Sequence, residues 1–321
     1  MHVPYECRDS GACCSSGWPI PLERSRVAVV QVLRQDGSWL RPAIDAPPDI
    51  GGVLAVSRNG HCVFHGDGCE VQRALGPAAM PTACQHFPRE VLIDRRGVFV
   101  TLSHYCPTAA DLLFQHSGAV AIVEGPPVLS MGDPEGLDAR GVLPPLLVDG
   151  VLTDDDGYSA WEAHVVGALT RDDDRLPEQT LGELWRDLAI VQRWRPGPTS
   201  LTDWIARLSP NTHPPRLAKG HQAHRVIRRY LAARAFASWL PYQGNGIAAG
   251  LGGLALALSE LRDRIARVSA RGCRGLSDEG LKDAIRATDL RLVHEMPRAE
   301  LVERANHYCR RQMSNSATSG P

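Results

Sequence analysis

The 321-residue chain has no long apolar run. Its best candidate, residues 246–258, falls short of the roughly 18–20 residues that a membrane span needs and is diluted by glycine and alanine, so no membrane partner is expected. It also has little charge of either sign in excess, with a formal net charge of -1 at pH 7. A broad nucleic-acid footprint, which needs strong basicity, is therefore not expected. Basic clusters at residues 225–234 and 262–274 alternate with apolar positions and read as solvated helix faces. No apolar segment follows Met1, where His2, Glu6, Arg8 and Asp9 come at once. The reading is of a chain without a signal peptide, cytoplasmic, with its thiols kept reduced.

Cysteine is nearly missing from the second two-thirds of the chain, which holds only Cys273 and Cys309. The other seven of nine lie in the first third: Cys7, Cys13, Cys14, Cys62, Cys69, Cys84 and Cys106. Structural thiols would scatter through a core, so the crowding marks a local device, either a disulfide framework or a metal site. In a reducing compartment clustered thiols bind metal or do redox chemistry more often than they form disulfides. Short Cys-x2-4-Cys pairs, ferredoxin spacing and the Cys-x3-Cys-x2-Cys triplet are all lacking. Such long, irregular spacing requires a site assembled by the fold. Four thiolates suit zinc or an iron–sulfur cluster, and the spacing favours iron–sulfur, with zinc as the alternative.

Periodicity predicts a mainly α chain. A cysteine-rich, loop-rich metal-binding region with one short β-hairpin is expected over residues 1–116, a helical body over 117–313, and a small polar, disordered tail over 314–321. The hairpin is read over 90–103 around Arg95-Arg96-Gly97. Helices are expected at residues 22–35, 70–75, 108–115, 159–170, 180–195, 201–208, 221–239, 247–269, 277–294 and 298–313. The acidic runs 154–156 and 172–174 read as solvated loops. Strands do not alternate with helices, and no glycine-rich loop follows a strand, so a doubly wound nucleotide fold is excluded. The glycines at 250, 252 and 253 fit close helix packing better than cofactor binding.

The first motif is Cys7-x5-Cys13-Cys14, where Gly11 lets the backbone return. Neighbouring side chains diverge on a helix or strand, so the doublet is not expected to put both sulfurs on one ion within regular structure. The second set is Cys62-Val-Phe-His-Gly-Asp-Gly-Cys69, Cys84-Gln-His-Phe-Pro88 and His104-Tyr-Cys106-Pro107. Gly66 and Gly68 allow a tight loop, and the hairpin brings Cys106 back beside Cys84. Cys106 precedes a helix, whose positive end favours a thiolate. His61, His65, His86 and His104 lie inside these motifs as ligands, proton carriers or simply hydrogen-bonded loop residues.

Cys7–Cys14 with Gly17-Trp18, then Cys62–Cys69, Glu70-Val-Gln-Arg-Ala-Leu-Gly76, Cys84-Gln-His-Phe-Pro-Arg89 and Ser103-His-Tyr-Cys-Pro-Thr-Ala-Ala110 together resemble the flagellin lysine-N-methylase family. That family sits within a wider group of zinc- or iron-chelating cysteine-cluster proteins. The resemblance covers roughly residues 5–115, and more loosely 224–240 and 278–294, the latter ending in Arg291-x-x-His294. It implies a metal centre, a [4Fe-4S] cluster in the first instance, held among the seven front-end cysteines, with Cys62, Cys69, Cys84 and Cys106 first if only four bind. It also implies methyl transfer from S-adenosylmethionine to lysines of a protein substrate. The first cluster lacks the wider group's Cys-x-x-Cys-x-x-Cys-Cys run, so fewer ligands are expected there. Tyr105, Tyr158, Tyr230 and Tyr242 are the candidates for handling a lysine amine. The other reading is a non-catalytic metal protein acting in redox sensing, metal handling or scaffolding.

Overall fold

A computed structural model describes residues 5, 7–8, 10–44, 46–115, 122–125, 136–208, 222–271 and 276–318. Cys273 and the expected boundary at 116/117 lie outside them. Among the described residues the chain is mainly α, about 52% helical, with eleven α-helices and several small sheets.

The first sheet joins Pro21–Glu23, Ile50–Leu54 and Leu40–Arg41, all antiparallel. The helix expected from residue 22 therefore begins only at Arg24, running Arg24–Gln31, and Leu40–Arg41 and Ile50–Leu54 are short strands within the region expected to be loop-rich. Their backbone partners are distant in sequence, which local pattern does not reveal. Gly52 is required here, because an added Cβ would meet the Arg41 carbonyl at 2.7 Å.

The hairpin forms as expected. Arg89–Asp94 pairs with Gly97–Leu102 in unbroken register from Arg89↔Leu102 to Asp94↔Gly97. A third strand, Gly136–Asp138, adds in parallel beside Arg89–Asp94. Arg96 folds back from the turn between Asp94 and Glu162, its guanidinium 4.4 Å from the Phe99 ring and 4.1 Å from the Tyr158 ring. That buried ion group fixes the hairpin tip to the body.

The body is built from Asp155–Thr170, Pro177–Val191, Leu201–Ala206, Gln222–Ala235, Ile247–Arg271, Asp278–Asp289 and Arg298–Thr318. The acidic run at 154–156 is not a loop: Asp154 caps the first of these helices by accepting from the Gly157 N–H, and Asp155 and Asp156 form its first turn. Carboxylates there satisfy the open amides and meet the positive helix end. Ser200 and Ser277 cap two others. The last helix continues to Thr318, into the stretch expected to be a tail, and 319–321 lie outside the described residues.

Ile247–Arg271 is the central helix, packed against Arg298–Thr318, Asp278–Asp289 and Gln222–Ala235. Gly252 and Gly253 serve this packing: a Cβ at 252 would strike the Ala305 carbonyl and the Cys309 sulfur, and one at 253 the Leu240 side chain. Fully buried leucines such as Leu254 and Leu261 each stabilise the body by about 1.5–3 kcal/mol. Residues 277–294 do not form one α-helix. After Asp289 the chain widens into a π-turn, Leu290–Glu295. Among the described residues no helix is long and apolar enough to cross a membrane.

Two cores form. The larger lies in the body and takes in Leu92, Leu113 and Ala139. The smaller collects Ile20, Leu22, Val30, Trp39, Leu54, Phe64 and Val71 around Cys14 and Cys62. The cysteines thus line the wall of their own small core.

Candidate metal centre

Gly11 begins the assembly. Its φ of +68° is open to glycine at little cost, and any Cβ would collide with the His65 imidazole. The chain turns there, with the Cys14 and Ser15 amides both donating to the Gly11 carbonyl at 3.0 Å. Cys13 and Cys14 consequently lie in a turn, neither helix nor strand, and their sulfurs sit 4.0 Å apart. The expected divergence of the doublet does not apply to this backbone.

The Cys62 amide donates to the Cys14 carbonyl at 2.7 Å and the His65 amide to the Cys62 carbonyl at 2.9 Å. The strand pair His65–Gly66 and Gly68–Cys69 then returns Cys69 to the same place. Cys14 hydrogen-bonds with the thiols of Cys13, Cys62 and Cys69. These bonds, with burial added, push the Cys14 thiol far up, while bonding with Cys14 pulls Cys13 and Cys62 down. Arg34 adds its positive charge in favour of a Cys62 thiolate. Cys84, on the short helix Thr82–His86, is pushed well up by burial and by the charges of Cys13, Cys62 and Cys69.

Cys7 and Cys106 form a separate end. Cys106 is buried at the start of Pro107–Gln115, and the Tyr5 phenol lies 3.3 Å from its sulfur while also hydrogen-bonding Cys7. Six of the seven front-end cysteines, all but Cys62, line one cavity of about 300 Å³ together with Tyr5, Met80, His86 and Phe87. The four first-choice ligands are therefore divided. Cys62, Cys69 and Cys84 gather with Cys13 and Cys14, whereas Cys106 faces them from the Tyr5 side. Tyr5 and Met80 are lining residues that sequence reasoning missed, since a lone tyrosine or methionine carries no spacing signal.

Of the histidines, His86 is buried and lines the cavity; His61 and His65 pack edge to face at 5.0 Å. His104 is buried away from the thiols, 3.9 Å from Asp289, and burial pushes it down to about 4. The tyrosines considered for amine handling are engaged elsewhere. The Tyr230 hydroxyl donates to Asp289 at 2.9 Å, that of Tyr242 to Asp94 at 2.6 Å, and Tyr158 is buried under Arg96. Tyr105 is buried and hydrogen-bonded to Ser15. A groove on the body, lined by Trp239, Arg298, Glu303, Asn306 and Arg310, carries two guanidiniums against one carboxylate, a poor setting for a lysine side chain.

Among the described residues every cysteine is a free thiol, and no group of three or more His, Cys, Asp or Glu side chains stands ready-arranged around a metal ion. The donors nonetheless fit thiophilic metal chemistry. Sulfurs bound tetrahedrally to one zinc at about 2.3 Å stand about 3.8 Å apart, close to the Cys13–Cys14 separation of 4.0 Å. No protein-family model, curated protein or solved structure matches the chain.

Proposed function

We propose that this chain is a cysteine-thiolate metal protein, with an iron–sulfur centre held from Cys13, Cys14, Cys62, Cys69 and Cys84 on one side and Cys7 and Cys106 on the other. One observation carries the reading: six cysteines from separate segments line a single cavity, with the Cys13 and Cys14 sulfurs 4.0 Å apart. Packed side by side without metal, such sulfurs crowd their protons and charges. A cation relieves both, because it replaces protons and neutralises thiolates.

The cavity volume supports a polynuclear occupant. About 300 Å³ is on the order of ten times the ~30 Å³ share of one water, far more than a lone ion requires. The short Cys13–Cys14 spacing supports the second reading, a single zinc that serves as a structural knuckle. Such a centre, when loaded, supplies redox or Lewis-acid chemistry; Tyr5 meanwhile offers a hydrogen bond to the Cys106 sulfur, and Phe87 and Met80 keep the pocket apolar.

Methyl transfer from S-adenosylmethionine to protein lysine is the reaction that the family resemblance implies, and it rests on that resemblance. Purification without oxygen, followed by iron, acid-labile sulfide and zinc analysis with a visible spectrum, tests the metal. Near-equal iron and sulfide with a broad brown absorbance supports the cluster and warrants an assay with labelled methyl donor. Stoichiometric zinc without colour supports the knuckle and a scaffold role. Absence of iron, sulfide and zinc alike overturns both.

A further inference from the structure

Three cysteine-bearing segments meet the helical body at a single side chain. Trp18 follows Cys14, Phe87 follows Cys84 and Tyr105 immediately precedes Cys106. Their rings pack on the imidazole of His294, with centroids 4.4 Å from it for Trp18, 6.0 Å for Phe87 and 6.2 Å for Tyr105. Trp18 also contacts Phe87 at 5.6 Å and Tyr105 at 5.4 Å. Rings at such separations touch one another, which leaves no open cage for a ligand. They form a solid wedge, and Phe87 lines the cysteine cavity as well.

His294 is itself held. Its Nε2 lies 2.9 Å from Ser103 Oγ, and the Tyr105 amide donates to that same oxygen at 3.4 Å. The Ser103 hydroxyl thereby ties the imidazole to the Tyr105 backbone. Burial pushes His294 down to about 4, which keeps the imidazole neutral and able to accept. It sits in the π-turn Leu290–Glu295, a rare backbone form found mostly as single turns at functional sites. Just before the turn, Asp289 is wholly buried and accepts from the His104 amide and the Tyr230 hydroxyl. One short stretch of the body, 289–294, therefore grips 103–105 from two sides and Trp18 and Phe87 besides.

We propose that His294 is a positioning residue of the cysteine centre: through it the body sets the spacing of the segments that carry Cys14, Cys84 and Cys106, and metal bound there orders the turn Leu290–Glu295 in return. The inference rests on the metal reading above. Reciprocity follows from linkage, since whatever the body contributes to metal affinity the metal contributes to the body's order.

The test uses the full chain stripped of metal. Its uptake of zinc(II) alone, or of iron(II) with sulfide under argon, is measured by competition with a chromophoric chelator. Hydrogen exchange over residues 286–297 is followed with and without zinc. Partners outside the ligand shell commonly control metal affinity by 10–100-fold, so His294→Ala is expected to weaken zinc binding by about that factor. His294→Phe, which keeps the ring contacts, should recover part of it. Zinc should slow exchange over 289–296 in the wild type and not in His294→Ala. If His294→Ala does not fold, Ser103→Ala removes only the hydroxyl partner of the imidazole and carries the same test. Zinc binding unchanged within twofold in the variants, or no zinc-dependent protection of the turn, overturns the proposal while leaving the metal reading intact. A wild-type chain that takes up neither zinc nor iron defeats both.

Discussion

Gly11 shows how a single residue type controls the cysteine pocket. Left-handed backbone costs an ordinary residue about 1–2 kcal/mol, and here a methyl group would also displace His65. Gly11→Ala is therefore expected to lower stability by at least about 1 kcal/mol in urea unfolding and to raise the labelling rate of Cys13 and Cys14. Unchanged stability and labelling would show that the turn does not hold the doublet. Cys309 makes the contrasting case. Its thiol donates to the Ala248 carbonyl at 3.1 Å within the helix pair, far from the pocket. Cys309→Ala should cost about 1–3 kcal/mol through the lost bond and cavity, yet leave metal content untouched. Cys14→Ala should do the reverse, lowering metal content sharply. Equal metal loss in the two variants would refute the assignment of separate roles. The seven-cysteine set was legible because cysteine is rare elsewhere in the chain. The adjacency of the Cys13 and Cys14 sulfurs was not, because it depends on a turn whose geometry comes from contact with His65.

At the scale of elements, the helices of the body were readable from their apolar period, and the hairpin from its alternation and turn. The missed strands and the π-turn share a cause, namely partners remote in sequence. Pro21–Glu23, Leu40–Arg41 and Ile50–Leu54 are too short to show a period and exist through one another. The π-turn at Leu290–Glu295 continues the helical pattern and is set by Asp289 and His294 gripping another segment. That turn has a pH signature. Burial lowers His294 to about 4 from an ordinary value near 6.5, so the unfolded chain binds the extra proton first. Its contribution is then complete above pH 6.5 and lost progressively as pH falls towards 4. Unfolding free energy measured across pH 4–7 should fall with acid less steeply in His294→Phe than in the wild type. Identical slopes would mean that the imidazole does not titrate with folding.

For the molecule as a whole, the separation of the two cores decides what metal removal does. The larger core, which includes Leu92 and Leu113 from the hairpin and the helix after Cys106, contains none of the seven front-end cysteines. The smaller one is lined by Cys14 and Cys62, with Cys13, Cys69 and Cys84 packed on it. Its helices, Arg24–Gln31, Glu70–Leu75 and Thr82–His86, fall below the roughly 12–15 residues at which an isolated helix becomes even marginal in water. They depend on tertiary packing, and a metal that binds only the folded pocket adds its binding free energy to that packing. The body's long helices have no such dependence. Chelation should therefore expose residues 10–85 to limited proteolysis while most of the helical circular dichroism persists, and denaturant should then reveal two transitions where the loaded protein shows them closer together. Collapse of the helical signal on chelation alone would mean that the pocket is the keystone of the entire fold, and the two cores would have to be treated as one cooperative unit.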